Sequence, residues 1–353
     1  MKPVNIFFIG RKQGVGLRRF RLSHLENRRP AELEGLRRAS SSIRQVRLLG
    51  NADVVWVRVR PEFTTDPERR RIEQRLRPFR DQIPIINDIA VFNNYDCKDT
   101  TFSIWKEHGI SCPDFISFDT FQYTYNHSDT VEQILKFLQK YGKILLRTNN
   151  ETAANGMYLL NSNATGKEID AIVDDLENRC RMFFPTRSGT RIIAVEFIGS
   201  QDAGGYIDLY RAHILLGQII SYYAVTSKQD IFHNVDMKEQ CLERFIQLNE
   251  GLCDKVQSLN DQILQASTAL ECNLGAVEFF LLDNKPIFIE FNPMWGGHAS
   301  MIGFGNTKVQ NYLDTHKKAL KERIPNIYAW LNYPDYYKAL FEQINKSIQP
   351  IVH

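Results

Sequence analysis

Residues 275–293 read GAVEFFLLDNKPIFIEFNP, and they contain the clearest structural signal in the chain. Two apolar segments flank Asp283 and Asn284, which are residue types that favour the backbone conformations of a tight turn. Apolar segments joined in this way predict two antiparallel strands that pair as a hairpin.

Polar side chains recur within this hairpin at positions that a strand would bring together. If the connection comprises residues 283–285, Glu278 lies directly opposite Glu290, and the two-residue period of a strand places Asn292 on the same face as Glu290. A two-residue turn would instead put the glutamates on opposite faces. Facing carboxylates repel each other unless a cation lies between them, and two carboxylates with an amide suit Mg²⁺. The pattern by itself is typical of a polar strand face, and a magnesium site is the alternative that it leaves open.

The composition is that of an ordinary globular protein. The chain has 353 residues, of which 43% are hydrophobic and 24% charged, and these values exclude a disordered, collagen-like or disulfide-stabilised chain. The sequence has no run of about 18 apolar residues, and its six cysteines lack a paired spacing that would indicate zinc or disulfides. We therefore expect a cytoplasmic protein of two or three domains that does not enter a membrane.

Positive charge is concentrated near the N-terminus. Residues 1–90 contain 20 Lys and Arg against 10 Asp and Glu, a net charge of +10, while the remainder carries −7. Arginine pairs well with carboxylates and phosphates, so one interpretation is an anionic partner: a small molecule, a nucleic acid or a second subunit in a homo-oligomer. A solvated helix face is the other interpretation. Nucleic acid is disfavoured, because no aromatic RNA-binding motif accompanies the arginines.

Alternating apolar runs and helical patterns divide the chain into three parts. Residues 1–90 follow the order strand, helix, strand, helix, strand, which predicts an arginine-rich α/β domain with a parallel sheet. Its first helix is expected at about residues 31–48. A central domain is expected over residues 91–190, and a C-terminal domain that carries the metal site over residues 191–353.

Several segments, taken in order along the chain, resemble the ATP-grasp superfamily. They are DCKDT (96–100) with GISCP (109–113), ILLR (144–147), IAVEFIG (193–199), YRAHILLG (210–217), and Glu278 with the Glu-Phe-Asn of residues 290–292. The likeness covers about residues 84–300. It implies an α/β and α+β fold in which the N-terminal α/β domain with its parallel sheet is followed by a two-part ATP-grasp fold.

The resemblance implies that one set of residues binds ATP. Lys98 and Arg147 would contact its phosphates, although Arg147 stands where the family usually has a lysine. Asn155 and Gly156 would lie in the loop that covers the phosphates, a loop with a single glycine in this chain. Glu196 would hold adenine and ribose at the hinge between the two grasping parts. A surface lysine, an ion-paired arginine and a polar strand residue are the alternatives for Lys98, Arg147 and Glu196.

A second set of residues would carry out the reaction. Arg211 would face the transferred phosphoryl group and act as the catalytic cation, with a structural ion pair as its alternative. The magnesium ligands would be Glu278, Glu290 and Asn292. The loop that follows the metal strand would border the carboxylate substrate through Gly296, Gly297 and His298.

The resemblance implies an ATP-dependent ligase. ATP and Mg²⁺ would convert a carboxylate into an acyl phosphate, which an amine attacks to give an amide, ADP and phosphate. The arginine-rich N-terminal domain favours acidic small-molecule substrates. An ATP-binding regulatory or interaction protein without ligase turnover is the alternative from a different class, and a phosphotransferase that releases a stable phosphate ester is a further one.

Overall fold

A mostly parallel sheet forms the N-terminal part of the protein. The computed structural model describes residues 2–12, 15–19, 30–59, 64–151, 156–199, 201–232, 237–293, 307–324, 326 and 333–348. The strands of this sheet are β1 (Val4–Lys12), β2 (Val15–Arg19), β3 (Ile43–Gln45), β4 (Val54–Arg58) and β5 (Ile85–Ile86). The strand β1 pairs in parallel with β3 and β4, β4 pairs in parallel with β5, and β2 is antiparallel to β1. The predicted parallel α/β unit is therefore confirmed.

Two helices connect the strands of this sheet. The helix Pro30–Arg38 is shorter than the predicted segment 31–48, because the chain turns after it and forms β3. The helix Asp66–Leu76 begins at a capping box in which Thr65 accepts a hydrogen bond from the Glu68 N–H and the Glu68 carboxylate accepts one from the Thr65 N–H. This reciprocal arrangement satisfies two backbone donors that the first helical turn leaves unpaired.

A second, antiparallel sheet follows in the middle of the chain. It consists of β6 (Phe115–Phe118), β7 (Lys143–Thr148), β8 (Met157–Asn161) and β9 (Ile192–Glu196) in the order β6-β9-β7-β8. The helices His127–Tyr141 and Gly166–Phe183 pack their apolar sides on it and form one hydrophobic core with residues such as Ile144 and Leu146. Arg147 and Thr148, the two residues of β7 that follow Leu146, lie next to the candidate active site.

The third sheet is also antiparallel and completes the two-part C-terminal region. Its strands are β10 (Ile207–Leu215), β11 (Gln218–Ser227), β12 (Leu274–Leu282) and β13 (Lys285–Asn292), in the order β11-β10-β12-β13. The remaining helices are Phe92–Asp96, Lys98–Glu107, Leu242–Glu250, Leu252–Ser258, Asn260–Ala269, Thr307–Thr315, Lys317–Arg323 and Tyr333–Ile348. Within the described ranges, no helix combines the length and the apolar character needed to cross a bilayer.

The last helix, Tyr333–Ile348, returns to the N-terminal sheet. Phe341 packs against Trp56 of β4 with their ring centroids 6.0 Å apart, and Asp335 forms an ion pair with Arg38. The Asn345 side chain donates a hydrogen bond to the Ser42 carbonyl. The two ends of the sequence thus share one hydrophobic core.

The hairpin at residues 275–293 has a tighter turn than predicted. Asp283 and Asn284 both have positive φ, 50° and 61°, and Leu282 pairs with Lys285. Two central residues with positive φ are typical of the hairpin turns that match the twist of paired strands. The predicted three-residue connection over residues 283–285 is therefore wrong.

Glu278 nevertheless pairs with Glu290, as predicted. Phe279 pairs with Phe288, so Ile289 is an additional residue on β13 and forms a β-bulge. One inserted residue reverses the face on which all later side chains of the strand lie. The bulge therefore compensates for the shorter turn, and the two glutamates face each other across β12 and β13.

Candidate active site

A cleft of about 200 Å³ lies between the central and the C-terminal sheets. Side chains from β7, β8 and β9 form one wall, and side chains from β10, β12 and β13 form the other. Five residues predicted for nucleotide or metal binding line this cleft: Lys98, Arg147, Glu196, Glu278 and Glu290. They come from five different elements of the fold and span 193 positions of the sequence, so the tertiary structure alone brings them together.

The predicted metal ligands form a row across neighbouring strands. Arg211 on β10 pairs with Glu278 on β12, which pairs with Glu290 on β13. The Arg211 guanidinium lies 2.9 Å from the Glu278 carboxylate. The Asn292 side-chain amide donates to both carboxylates, 3.3 Å to Glu278 and 3.2 Å to Glu290. Two carboxylates and a carboxamide thus converge at one point of the sheet.

Lys98 approaches this row from the other side of the cleft. It is the first residue of the helix Lys98–Glu107, and its ammonium forms an ion pair with Glu290. Its backbone N–H donates to the Asn149 carbonyl over 3.0 Å, and the Asn149 amide donates to the Asp99 carboxylate over 2.9 Å. These contacts hold the start of the helix against the end of β7, two residues beyond Arg147.

The charges around the two glutamates give them different proton affinities. Burial raises the pKa of Glu290, but the Lys98 ammonium, the Arg147 guanidinium and the Asn292 amide outweigh it and lower the pKa to about 2. Burial raises the pKa of Glu278 above its usual range, and the Arg211 guanidinium offsets this only in part. Glu290 is therefore a carboxylate at neutral pH, which is the form that binds a metal ion.

The donor set fits magnesium. Hard oxygen ligands from carboxylates and an amide, completed by water and phosphate oxygens, are the usual magnesium environment in nucleotide sites. In this structure Lys98 and Arg211 neutralise the same two carboxylates. A divalent cation that is bound there would release both side chains from these ion pairs and leave them facing the cleft.

Arg147 is buried and hydrogen-bonded to the chain that follows it. Its Nε donates to the Thr148 carbonyl over 3.1 Å, and a terminal nitrogen donates to the Glu151 carbonyl. Burial lowers its pKa, while the charge of Glu290 acts in the opposite direction. An arginine can make these backbone contacts and still present further N–H groups to a phosphate, because its guanidinium carries five donors. The phosphate role of Arg147 remains a prediction.

The segment after β7 is anchored rather than free at its N-terminal end. Residues 148–151 are buried, the Thr148 hydroxyl donates to the Glu151 carboxylate over 2.7 Å, and Arg179 lies 3.2 Å from the same carboxylate. Asn155 lies outside the described residues. Gly156 has a φ of +57°, and a Cβ atom there would lie 2.8 Å from Glu151 Oε2 and 3.1 Å from Arg179 Cδ. The predicted phosphate contact of Gly156 therefore stays a prediction, but its need for glycine is clear.

Replacing Gly156 with alanine should destabilise the protein by more than the free-energy cost of placing alanine in the left-handed backbone conformation of residue 156. That conformation costs a non-glycine residue about 1–2 kcal/mol, and the new methyl group would also displace Glu151 from the Thr148 hydroxyl. Gly109→Ala is the matched control, because Gly109 has a φ of +69° and open space around it. Urea denaturation would compare the free energies of unfolding. Equal losses in the two variants would show that the contact with Glu151 contributes nothing.

Glu196 closes the far end of the cleft at the end of β9. One of its carboxylate oxygens accepts a hydrogen bond from the Asp114 N–H over 3.0 Å, and its own N–H donates to the Asp114 carbonyl over 2.9 Å. Phe197 and Phe232 add apolar walls nearby. Apolar walls beside the Glu196 carboxylate are compatible with the predicted adenine and ribose site, which remains a prediction.

Three predicted substrate residues, Gly296, Gly297 and His298, lie outside the described residues. The sequence analysis missed Asp99 and Asn149, which fix the start of the helix that carries Lys98. Asp99 directly follows Lys98 and could have been suspected for that reason. Asn149 carried no signal, because its partner lies 50 positions away in the sequence.

Two described arginines of the N-terminal domain, Arg75 and Arg80, are engaged within that domain. Arg80 bridges Glu73 and Asp88 at 2.7 Å and 2.5 Å, and the Arg75 guanidinium lies 5.4 Å from the centre of the Phe7 ring. The side chains of residues 10–33, which include further arginines, lie outside the described part. For Arg75 and Arg80 the structure favours the helix-face interpretation over an anion-binding surface.

Of the comparisons with known proteins, only the one with solved structures found similar proteins. A scan against protein-family models gave no match, and a search of curated proteins gave none either. Among solved structures, the chain is similar to the D-alanine–D-alanine ligase from Bacillus anthracis, with 12% identity over 98% of this chain and 99% of that one and a TM-score of 0.49. It is also similar to the D-cycloserine synthetase DcsG (9% identity, 83% and 94% covered, TM-score 0.48).

A third similar structure is a RimK domain protein from Sphaerobacter thermophilus, which is described as an ATP-grasp protein. It shares 11% identity over 94% of this chain and 99% of that one, with a TM-score of 0.47. At these identities and TM-scores the likeness carries no conclusion about substrate or reaction. The chemistry of the cleft therefore has to be inferred from the residues that line it.

Proposed function

We propose that the protein is an ATP-dependent ligase that joins a carboxylate to an amine and releases ADP and phosphate. The observation that carries this proposal is the convergence of three cations and three oxygen-bearing side chains at one cleft. Lys98, Arg147, Glu278 and Glu290 line the cleft. Arg211 and Asn292 contact the two glutamates. The arrangement provides charge stabilisation and positioning, which are the main requirements of phosphoryl transfer.

The reaction would proceed in two displacements. A substrate carboxylate oxygen attacks the γ-phosphorus of ATP, the bond from that phosphorus to the bridging oxygen breaks, and ADP leaves. The amine nitrogen then attacks the acyl carbon, phosphate leaves with the electron pair of the carbon–oxygen bond, and the amine releases a proton. Each step moves negative charge that cations in a site of low polarity stabilise strongly.

Each cationic residue of the cleft has a distinct part in this scheme. Lys98 and Arg147 bind phosphate oxygens and hold ATP in line with the carboxylate. Arg211 stabilises the transferred phosphoryl group and the tetrahedral state that follows. Mg²⁺, held by Glu278, Glu290 and Asn292, would supply further neutralisation of the phosphate charge when it is bound. A mechanism that relies on positioning and charge stabilisation needs no Ser-His-Asp or Cys-His catalytic set.

The choice of substrates follows from charge rather than from a recognised pocket. A site with several cations attracts anionic molecules. It therefore favours a small-molecule carboxylate and an amine that also carries acidic groups. We include this preference in the proposal, with ATP and Mg²⁺ as cofactors.

Incubation with ATP, Mg²⁺ and a pooled set of amino acids, short peptides and other carboxylates tests the function. ADP and new product masses would be followed together by mass spectrometry. ADP with a condensed mass supports the ligase and identifies its substrates. A stable phosphate ester would replace the ligase with a phosphotransferase, and ATP binding with no ADP from any pool would favour the regulatory alternative.

Replacing Lys98 with glutamine should weaken ATP binding. Loss of a charge-assisted hydrogen bond costs about 1.5–3 kcal/mol, which is about ten- to a hundredfold in Kd. Lys106→Gln is the matched control, because Lys106 lies on the same helix but does not line the cleft and is ion-paired with Asp114 rather than with a metal-site carboxylate. Titration calorimetry with ATP and Mg²⁺ would compare the two variants. Equal affinities would remove Lys98 from the nucleotide site.

A further inference from the structure

Asn87 makes an unusual set of contacts beside the metal-binding strands. It is 2% exposed and follows β5 of the N-terminal sheet. Its side-chain amide donates to the Leu274 carbonyl over 2.7 Å and to the Pro293 carbonyl over 2.9 Å. Its side-chain oxygen accepts from the Leu274 N–H over 3.1 Å. All the donor and acceptor groups of this side chain are therefore directed at two backbone positions.

These two positions are the open end of the hairpin. Leu274 is the first residue of β12, and Pro293 directly follows the last residue of β13. The last pair of the ladder joins Ala276 with Asn292. Beyond that pair, the Asn87 side chain bridges the two strands in place of another backbone pair. The predicted ligand Asn292 is therefore next to the bridge, and Glu290 and Glu278 are three and four residues from it.

The backbone of Asn87 also suits this role. Its φ is 53°, a left-handed conformation that asparagine adopts more readily than most residues. Its N–H donates to the Asn273 side-chain oxygen over 2.8 Å, and the Asn273 amide donates to the Ile85 carbonyl over 2.9 Å. These hydrogen bonds attach the bridge to the end of the N-terminal sheet.

We propose that Asn87 is a positioning residue. Its side chain bridges Leu274 and Pro293 at the open end of the hairpin, an interaction that we call the clasp, and so holds the three proposed metal ligands in register. This inference rests on the proposed function for its consequence, and on the contacts of Asn87 for the clasp itself. Strand ends open more readily than strand centres, and small displacements of coordinating groups reduce activity strongly. A side chain from another domain would thereby couple the N-terminal sheet to the geometry of the metal site.

Asn87→Asp tests the clasp, because aspartate tolerates the same backbone conformation but carries no amide donor for the two carbonyl groups. Hydrogen–deuterium exchange would be measured in the protein without ligand. We expect exchange of peptides covering residues 274–278 and 288–293 to become at least about tenfold faster. If Asn87→Asp does not fold, Asn87→Gly takes its place, because glycine also tolerates the positive φ.

The matched control is Asn249→Asp. Asn249 is also 2% exposed, and it makes the same kind of contacts elsewhere: its amide donates to the Ala224 and Phe245 carbonyls, and its oxygen accepts from the Ala224 N–H. This substitution should cause a comparable loss of stability and faster exchange near residue 224. It should leave exchange of residues 288–293 unchanged.

The consequence for the metal is measured separately with Mn²⁺ and the non-hydrolysable β,γ-imido analogue of ATP, by electron paramagnetic resonance. We expect Asn87→Asp to weaken Mn²⁺ binding at least about tenfold, and Asn249→Asp to leave it within about twofold of the original protein. Unchanged Mn²⁺ affinity in Asn87→Asp would overturn the positioning role, as would unchanged exchange. If the unaltered protein takes up no Mn²⁺ with the nucleotide, the proposed function fails, and exchange alone then decides whether Asn87 clasps the hairpin.

Discussion

Glu290→Gln is expected to lose magnesium-dependent nucleotide binding and to reduce ATP turnover by at least about a hundredfold, because the metal ion that this carboxylate is proposed to hold would supply several kcal/mol of charge stabilisation. Glutamine keeps the size of the side chain but removes the negative charge. Since Lys98, Arg147 and Asn292 hold the pKa of Glu290 at about 2, this charge is present throughout the physiological range. Both measurements, Mn²⁺ uptake with nucleotide and ADP release, should fall together.

A control variant separates loss of the metal from loss of the fold. Asp208→Asn removes a carboxylate from β10 of the same sheet, where it is ion-paired with Arg244 at 2.6 Å and lies outside the predicted metal set. Thermal denaturation should show both variants folded, and Asp208→Asn should retain metal uptake. Full turnover by Glu290→Gln would refute the metal assignment.

Arg211→Ala should reduce kcat at least about a hundredfold while it changes the Kd for ATP by no more than about threefold. Loss of one donor aimed at developing negative charge has effects of about this size on kcat. The proposed role of Arg211 lies at the transferred phosphoryl group, so most of its stabilisation is expected in the transition state. Single-turnover kinetics and equilibrium ATP binding give the two values independently.

Two further variants help to interpret the effect of Arg211→Ala on kcat and ATP affinity. Arg211→Lys retains a cation for Glu278 and should recover ATP binding fully but turnover only in part, because an ammonium does not reproduce the planar guanidinium. Arg244→Ala removes an arginine of the helix Leu242–Glu250 that is ion-paired with Asp208 of β10 and does not line the cleft, and it should leave kcat unchanged. Equal losses of kcat and ATP affinity in Arg211→Ala would make Arg211 a substrate-binding residue only.

The hairpin shows how far the sequence determined this site. Turn residues and apolar runs were sufficient to predict the two strands. The opposition of Glu278 and Glu290 was predicted from a three-residue connection that is wrong, and it holds because the bulge offsets the shorter turn. The bulge was not predicted, although a signal for it exists. Phe288 and Phe291 are both buried, and residues three apart cannot share one face of a regular strand. If both phenylalanines are assigned to the core, the strand must contain an extra residue between them, and this residue is the bulge.

The helical pattern after β11 was less informative. The sequence predicts one long amphipathic stretch over residues 238–268, whereas the structure has the successive helices Leu242–Glu250, Leu252–Ser258 and Asn260–Ala269. Gly251 lies at the first break. Periodicity predicted helical structure in this stretch but not where the helix is interrupted. The clasp by Asn87 was invisible as well, because its partners lie 187 and 206 positions away.

The return of the last helix to the N-terminal sheet has a consequence for any attempt to divide the protein. Phe341 and Ile344 are buried with Ile6 and Trp56 in one core, so residues 1–90 alone would present a large apolar surface to water. Such surfaces promote association of the fragment with itself. We therefore expect residues 1–90 to need the last helix in order to fold stably, and their properties are best studied together with that helix.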